Sequence, residues 1–343
     1  MDSDSFSLND LLDALRIFPT LDAYEAAPDA ERDRFHRAED ELVRRALDDA
    51  LHQAGAIIDA LIAGLHTDHW GLRAGAIYAL GEIRAVRAVQ PLIEAFRDDV
   101  SSMAEIVSAL VNIGTIAVRP LIHALTDQPD PAIRRGAALT LARFRDPLAV
   151  PALIARLADD PDAGVRTFAA HALAPLCDAR AVQPLIEALD ADADPQVREA
   201  AARSLGEIGA LLRNPGLIAA LRRALADPDW GVRQSAAEML IHLNEDSGGG
   251  ARALLIADLT HPDAAIRLGA AWSLLPTRDP RIVDPLVRLL YHPEGPIAAS
   301  AARALGEAGD RRAIPGLEAL RAHSDPAVRH AAQEALDRLR PQA

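Results

Sequence analysis

The stretch DPQVREAAARSLGEIG, residues 194–209, is written again with small changes as DAGVRTFAAHALAPLC (162–177), DWGVRQSAAEMLIHLN (229–244) and DPAVRHAAQEALDRLR (325–340). Aligned on Leu205, the pattern recurs at Leu80, Leu110, Leu141, Leu173, Leu240, Leu274, Leu305 and Leu336. The steps between these leucines are 30, 31, 32, 32, 35, 34, 31 and 31 residues. A period near 31 held over nine units is the mark of a solenoid. Each unit is too small to bury its own apolar face and stacks on the next. A chain of 343 residues would otherwise suggest two or three separate domains.

Each unit reads as two helices. In the quoted stretch Val197, Ala201, Ala202, Leu205 and Ile208 fall on one side of a helix. Asp194 fits its N-cap and Pro195 its first turn, where a missing N–H costs nothing. Gly209, Gly114, Gly309 and Asn244 fit the left-handed position that follows such a helix. We call this helix B. About ten residues after each anchor comes helix A, as in AVQPLIEAF (88–96), AVRPLIHAL (117–125), AVQPLIEAL (181–189) and IVDPLVRLL (282–290). Its recurring proline, at Pro91, Pro120, Pro151, Pro184, Pro285 and Pro315, is tolerated only in a first helical turn.

Composition narrows the chemistry. Half the residues are apolar and only 3% aromatic, which suits close helix packing better than a β-sandwich. All 36 cations counted as Lys or Arg are arginine, so lysine-dependent chemistry is excluded, including the P-loop lysine. The net charge of −14 opposes broad contact with nucleic acid, which depends on neutralising phosphates. Cys177 stands alone and forms no internal disulfide. MDSDSFSLND at the start has no signal-peptide form, and no apolar run reaches membrane-spanning length. A cytoplasmic monomer that is not membrane-bound and uses neither cofactor nor metal is expected.

The helix pair DP.VR..AA.AL and AV.PLI.AL resembles the HEAT-repeat family, specifically the short HEAT-like repeats of the phycobilisome-lyase type, over roughly residues 53–340. The resemblance implies an all-α fold, a right-handed α-α superhelix of about nine helix pairs in which helix B lines the concave face. Residues 1–52, including SLNDLLDALRIF (7–18) and the charged segment 28–53, fall outside the register and are expected to form an N-terminal helical cap; the solenoid is expected over 53–343. NEDSGGGAR (244–252), with its glycines at 248–250, reads as a loop insertion or a hinge.

Two sets of positions stand out. The first is fixed. An arginine seven residues before the anchor recurs as Arg73, Arg134, Arg166, Arg198, Arg233, Arg267 and Arg329. An acid stands four residues earlier, as Asp130, Asp162, Asp194, Asp229, Asp263 and Asp325. That spacing puts acid and arginine on one helix side in the favourable order, and stacking brings the arginine within reach of a carboxylate in the next unit. So many copies describe a structural ladder and no catalytic residue. The second set varies. Five residues after the arginine stand Tyr78, His171, Arg203, Glu238, Trp272 and Arg303, on the side away from the buried stripe. A constant frame with a varied row suits a surface that reads a ligand, and Tyr, Trp and Arg are common interface anchors.

Other features read as structural. Trp70 and Trp230 precede the arginine by three and suit packing at a loop edge. His261, His292 and His323 are 31 apart, too far along a stack of helices 8–10 Å apart to share one metal ion. Asp160, Asp192 and Asp227 fill the same slot earlier in the chain, which marks it as a polar turn position. His66 and His69 sit on one turn beside Asp68 and form a weak metal pattern.

The sequence contains no H-E-x-x-H, C-x-x-C, G-x-S-x-G or P-loop motif. Proteins with these repeats include bilin lyase subunits, adaptors, a DNA glycosylase and an iron hydroxylase. The hydroxylase resemblance needs His-Glu dipeptides, and this chain has none. The glycosylase resemblance needs a basic groove, which the charge opposes. The expectation is a non-catalytic scaffold holding a protein or peptide ligand on the concave face. A bilin lyase or lyase subunit is the alternative.

Overall fold

The computed structural model describes residues 8–50, 55–97, 102–212, 215–246 and 250–339, and every regular element among them is helical. The chain forms two compact units, Met1–Leu176 and Cys177–Ala343.

The first unit begins with α1 (Leu8–Leu15), α2 (Leu21–Glu25) and α3 (Asp29–Ala50). Four helix pairs follow: α4 (Ala56–Gly64) with α5 (Trp70–Glu82), α6 (Val89–Ala95) with α7 (Met103–Ile113), α8 (Val118–Asp127) with α9 (Pro131–Phe144), and α10 (Val150–Asp159) with α11 (Ala163–Leu173). In the second unit α12 (Val182–Ala191) pairs with α13 (Pro195–Leu212), α14 (Pro215–Ala224) with α15 (Trp230–Asp246), and α16 (Gly250–Asp258) with α17 (Ala264–Leu274). The last pairs are α18 (Val283–Leu289) with α19 (Gly295–Ala308) and α20 (Ile314–Ala319) with α21 (Pro326–Leu339). Each A helix packs on the B helix of its pair, and within each unit neighbouring B helices pack on one another, so both units are α-solenoid stacks.

Small residues make the stack possible. Ala137, Ala138, Leu141, Ala201, Ala202, Leu205, Ala301, Ala302 and Leu305 are fully enclosed, one stripe per helix B. Where neighbouring B helices cross, glycine brings their backbones together. A β-carbon on Gly81 would lie 2.7 Å from the Ala109 α-carbon, and one on Gly306 would lie 2.9 Å from that of Ala335. The N-terminal helices join the first unit through Leu11, Leu15, Phe18, Phe35 and Leu42, packed with Leu72 of α5. Trp70 belongs to this cluster, its ring stacked on Phe35 at 6.2 Å and tilted against Tyr24 at 5.3 Å. The side chain of Trp230 lies outside the described residues, as does the 248–250 stretch apart from the backbone of Gly250.

The repeated aspartates cap helix B. Asp130, Asp194, Asp229, Asp263 and Asp325 each accept the N–H two residues on, at 2.8–2.9 Å, and Asp162 accepts that of Val165 at 2.8 Å. Each such cap contributes about 1 kcal/mol. This corrects the expectation of acid–arginine pairs four residues apart, because the carboxylates face the free N–H groups of their own helix ends instead. Each arginine turns back to the loop before it and donates to the carbonyl six residues earlier. Arg73 donates to Thr67, Arg134 to Gln128, Arg166 to Asp160 and Arg198 to Asp192, at 2.7–2.9 Å. Arg233 donates to Asp227, Arg267 to His261 and Arg329 to His323, each at 2.6 Å.

Arg134 and Arg198 also bridge to the next repeat. Arg134 grips Asp160 through Nε and Nη2, both at 2.8 Å, and Arg198 grips Asp227 at 2.8 and 2.9 Å. Asp160, Asp192 and Asp227 each accept the N–H of the residue two positions later. His261, His292 and His323 do the same through Nδ1, at 3.0, 3.2 and 3.1 Å. The histidines are therefore turn caps in a slot that aspartate fills earlier.

Two helix ends differ from the sequence expectation. Gly209 lies inside α13, which runs three residues further, and Asn244 lies inside α15. A side chain at 209 would meet Leu217 and Leu243, so this glycine serves packing. Gly114 and Gly309 do adopt positive φ, at 105° and 72°. Arg84, Arg145, Cys177 and Arg278 take the left-handed position without glycine, at φ of 50–53°, a conformation that costs a non-glycine residue roughly 1–2 kcal/mol.

Candidate functional site: the exposed face of the B helices

With the cap, the arginine and the alanine stripe turned to structure, each B helix has one remaining side. The varied row stands there, and the two units present it separately. In the first unit Tyr78 on α5 is 42% exposed, and His171 on α11 is exposed. Ser108 on α7 is also exposed, and Leu139 on α9 is half-buried. In the second unit Arg203 on α13 and Arg303 on α19 are exposed, while Glu238 on α15 and Trp272 on α17 are half-buried.

Tyr78 borders a hollow of about 260 Å³ on the first unit, closed on its other side by Ala104, Glu105, Ser108, Ala109 and Asn112 of α7. Its neighbourhood is acidic. Burial first, then the charges of Asp40, Glu82 and Glu39, push the Tyr78 phenol above its usual pKa. Glu82 accepts a hydrogen bond from Asn112 at 3.0 Å, tying α5 to α7 at the rim. Glu39 is buried on α3, and that burial raises its carboxyl above the usual range although His36 lies 2.8 Å away and favours the charged form. This end of the face thus offers an aromatic edge, a recess and fixed negative charge.

In the second unit the row is partly self-engaged. Arg203 donates to Glu199 at 3.0 Å and to Ser235 at 3.1 Å, linking α13 to α15. Glu238 accepts from Gln234 at 2.8 Å. Arg303 makes no hydrogen bond or ion pair among the described residues, which leaves its guanidinium open. The sequence places Arg203 and Arg303 in equivalent slots. Only the neighbours, Glu199 beside one and Ala299 beside the other, separate an engaged arginine from an open one. The described residues contain no cluster of three or more His, Cys, Asp or Glu able to hold a metal ion.

The acidic hollow beside Tyr78 is not legible in the repeat pattern. Its signal was present in Glu82 and Glu105, but Asp40 and Glu39 come from α3, and no repeat spacing predicts that contact.

The sequence profile described as HEAT repeats matches the chain at residues 32–111, 101–174, 118–206, 182–254 and 251–337. Among solved structures, importin β aligns over 96% of this chain and 50% of its own, with 15% identity and a TM-score of 0.56. The karyopherin Kap121p, bound to the extreme C-terminus of the protein phosphatase Cdc14p, aligns over 99% of this chain and 42% of its own, with 14% identity and a TM-score of 0.52. These two likenesses concern the fold, and the chain spans about half the length of either. The complex of CpcE and CpcF of phycocyanin lyase from Nostoc sp. PCC7120 aligns over 82% of this chain and 94% of its own, with 25% identity and a TM-score of 0.35. No curated protein sequence matches the chain.

Proposed function

The chain belongs to the HEAT-repeat family, and from that premise we propose that it is a non-catalytic scaffold that holds a protein or peptide ligand against the exposed face of its B helices. The observation that carries this reading is the division of labour within helix B. Caps, arginine clamps and close-packed alanines recur in most repeats, with Met103 and Ala298 in the arginine slot of the second and eighth, while the outward row differs from repeat to repeat. A stiff frame lets those changing side chains hold fixed positions, so a ligand loses little freedom in ordering them. Kap121p is a solenoid that holds a peptide, so the architecture is compatible with the role.

On this reading Tyr78 and its acidic recess receive a cationic or hydrogen-bond-donating group, and Arg303 receives an anionic one. Trp272 supplies apolar area. Arg203 holds Glu199 and Ser235 in place and touches the ligand less directly. The described N-terminal helices pack on the first B helix and bring the charges of Asp40 and Glu39 near Tyr78. No cofactor is assigned, and the protein is taken as a monomer in the cytoplasm.

The test is capture of partners from source lysate by the wild type and by a Tyr78→Ala/Trp272→Ala/Arg303→Ala variant with an unchanged melting temperature. Loss of specific partners supports the face, and an identical partner set removes it. The bilin-lyase resemblance of the repeat motif gives a second reading. Mixing the protein with a bilin and recording its visible spectrum separates the two, because a lyase shifts the chromophore's absorption and a protein scaffold leaves it unchanged.

A further inference from the structure

Among the described residues, the B helices α5, α7, α9, α11, α17 and α19 pass to the next A helix through short 3-10 turns, and these turns come in two chemical kinds. In the second unit, Asp178, Asp279 and Asp310 each accept the N–H two residues on. The same carboxylates hold the guanidinium of Arg180, Arg281 and Arg312 at 2.7, 2.6 and 2.8 Å. In the first unit the slot of those arginines holds Ile116 and Leu148 in two turns; in the turn before them it holds Arg87, paired with Asp59 at 2.8 Å, and Val86 stands one position earlier. Asp146 makes the same backbone cap, to Leu148 at 2.9 Å, with no guanidinium on it. The turn therefore folds equally well around an arginine, and nothing in its architecture calls for an apolar residue there. Yet Val86, Ile116 and Leu148 are 53, 55 and 59% exposed, among the most open large apolar side chains described.

Ile116 and Leu148 stand in equivalent positions of neighbouring turns, and Val86 stands one position earlier in the turn before them. α5, α7 and α9 touch in order, and so do α6, α8 and α10, so the turns that join them lie at one end of the stack. Packed helices are 8–10 Å apart, which sets the step between turns at about that distance. A row of arginines accompanies them. Arg84, Arg119 and Arg145 stand two or three residues from Val86, Ile116 and Leu148, and all three are exposed. Their guanidinium groups make no hydrogen bond or ion pair among the described residues. In a chain with a net charge of −14, three open arginines beside three open aliphatic side chains are a local reversal of character.

We propose that this edge of the first unit docks an acidic amphipathic helix of a partner protein. An α-helix rises 1.5 Å per residue, so an apolar side chain at every seventh position advances about 10.5 Å and meets successive turns. Acidic residues flanking that seam then face Arg84, Arg119 and Arg145. An anionic membrane is the less favoured occupant. A lipid plane meets the whole acidic molecule, whereas a single helix feels charges only within a screening length of about 8 Å. The edge is formed by the turns, apart from the outward row on the B helices, and its proposal stands without that site.

The probe is a labelled synthetic helix with leucine at every seventh position and glutamate beside each leucine. A peptide of the same composition with the leucines scrambled is the control, and vesicles of phosphatidylserine in phosphatidylcholine are the second arm. We expect saturable binding of the ordered peptide, weakened about tenfold or more in an Ile116→Arg/Leu148→Arg variant whose melting is unchanged, because other turns of the chain carry arginine in that slot. A second variant, Arg84→Ser/Arg119→Ser/Arg145→Ser, removes only exposed side chains and is expected to weaken binding and flatten its salt dependence. The proposal fails if the ordered peptide does not bind, if the scrambled peptide binds equally, if both variants bind as the wild type does, or if the vesicles alone are bound.

Discussion

Arg134 and Asp160 meet twenty-six residues apart, in adjacent repeats, as a two-pronged pair with both hydrogen bonds at 2.8 Å. Both residues are almost fully enclosed, at 6 and 2% exposure. Arg134 also donates to the carbonyls of Gln128 and Pro129, and Asp160 accepts the N–H of Asp162, so one pair ties together a turn, the helix after it and the following turn.

Removing Arg134 leaves the enclosed Asp160 with only Arg156, 3.5 Å away, and the Asp162 N–H. Arg134→Ala is expected to destabilise the first unit by about 3–5 kcal/mol. Arg329→Ala, at an exposed copy of the same slot, is expected to cost about 1 kcal/mol, because its bonds to His323 and Ser324 lie at the surface. Urea melts of the two variants, with hydrogen exchange to locate the loss, check the contrast.

The same pair gives an acid dependence. Burial pushes the Asp160 carboxyl up, but the hydrogen bonds from Arg134 and the Asp162 N–H, with the charges of Arg134 and Arg156, outweigh it and hold the pKa below the usual carboxylate range. A carboxyl depressed in the folded state contributes stability that is complete above its unfolded pKa of about 3.9 and disappears as pH falls through the folded value. The stability gap between wild type and Asp160→Asn should therefore be constant near neutral pH and narrow below about pH 4. A gap that widens on acidification would reverse the sign of this argument.

His261 stands in the slot where Asp160 and Asp227 accept arginine from the preceding repeat. It already caps Asp263, and Arg233 already donates to its neighbours Asp227 and Pro228. His261→Asp keeps the cap and supplies the carboxylate that Arg198 finds in Asp227. A gain of about 1 kcal/mol is expected in urea melts, and an equal gain in an Arg233→Ala background would show that no bridge had formed.

Gly81 lets α5 approach α7. Gly81→Ala forces a methyl group against the Ala109 backbone and should cost about 1–3 kcal/mol. Gly164→Ala, whose new carbon meets only side-chain atoms of Arg135 and Asp162, should lie within about 0.5 kcal/mol of wild type. Thermal melts of the two distinguish a backbone contact from an adjustable one.

The sequence by itself determined the helix pairs, because a helix needs only a cap, a periodic apolar stripe and a stop, all local in Asp194, Val197, Ala201 and Leu205. It also marked the outward row, since positions free to vary show up once nine copies are aligned. What each residue does with its polar atoms was decided by tertiary structure. Asp130 and Asp160 are both aspartates at a turn that accept the N–H two residues on, yet the arginine reaching each from the repeat before is exposed Arg97 at 3.2 Å for one and enclosed Arg134 at 2.8 Å for the other. Arg203 and Arg303 share a slot and differ only through their neighbours. The negative charge beside Tyr78 draws on Asp40 and Glu39 of α3, outside the 31-residue register of the leucines. Hydrogen bonds and charges act over a few ångströms in space, and a period of 31 residues records only which helix comes next.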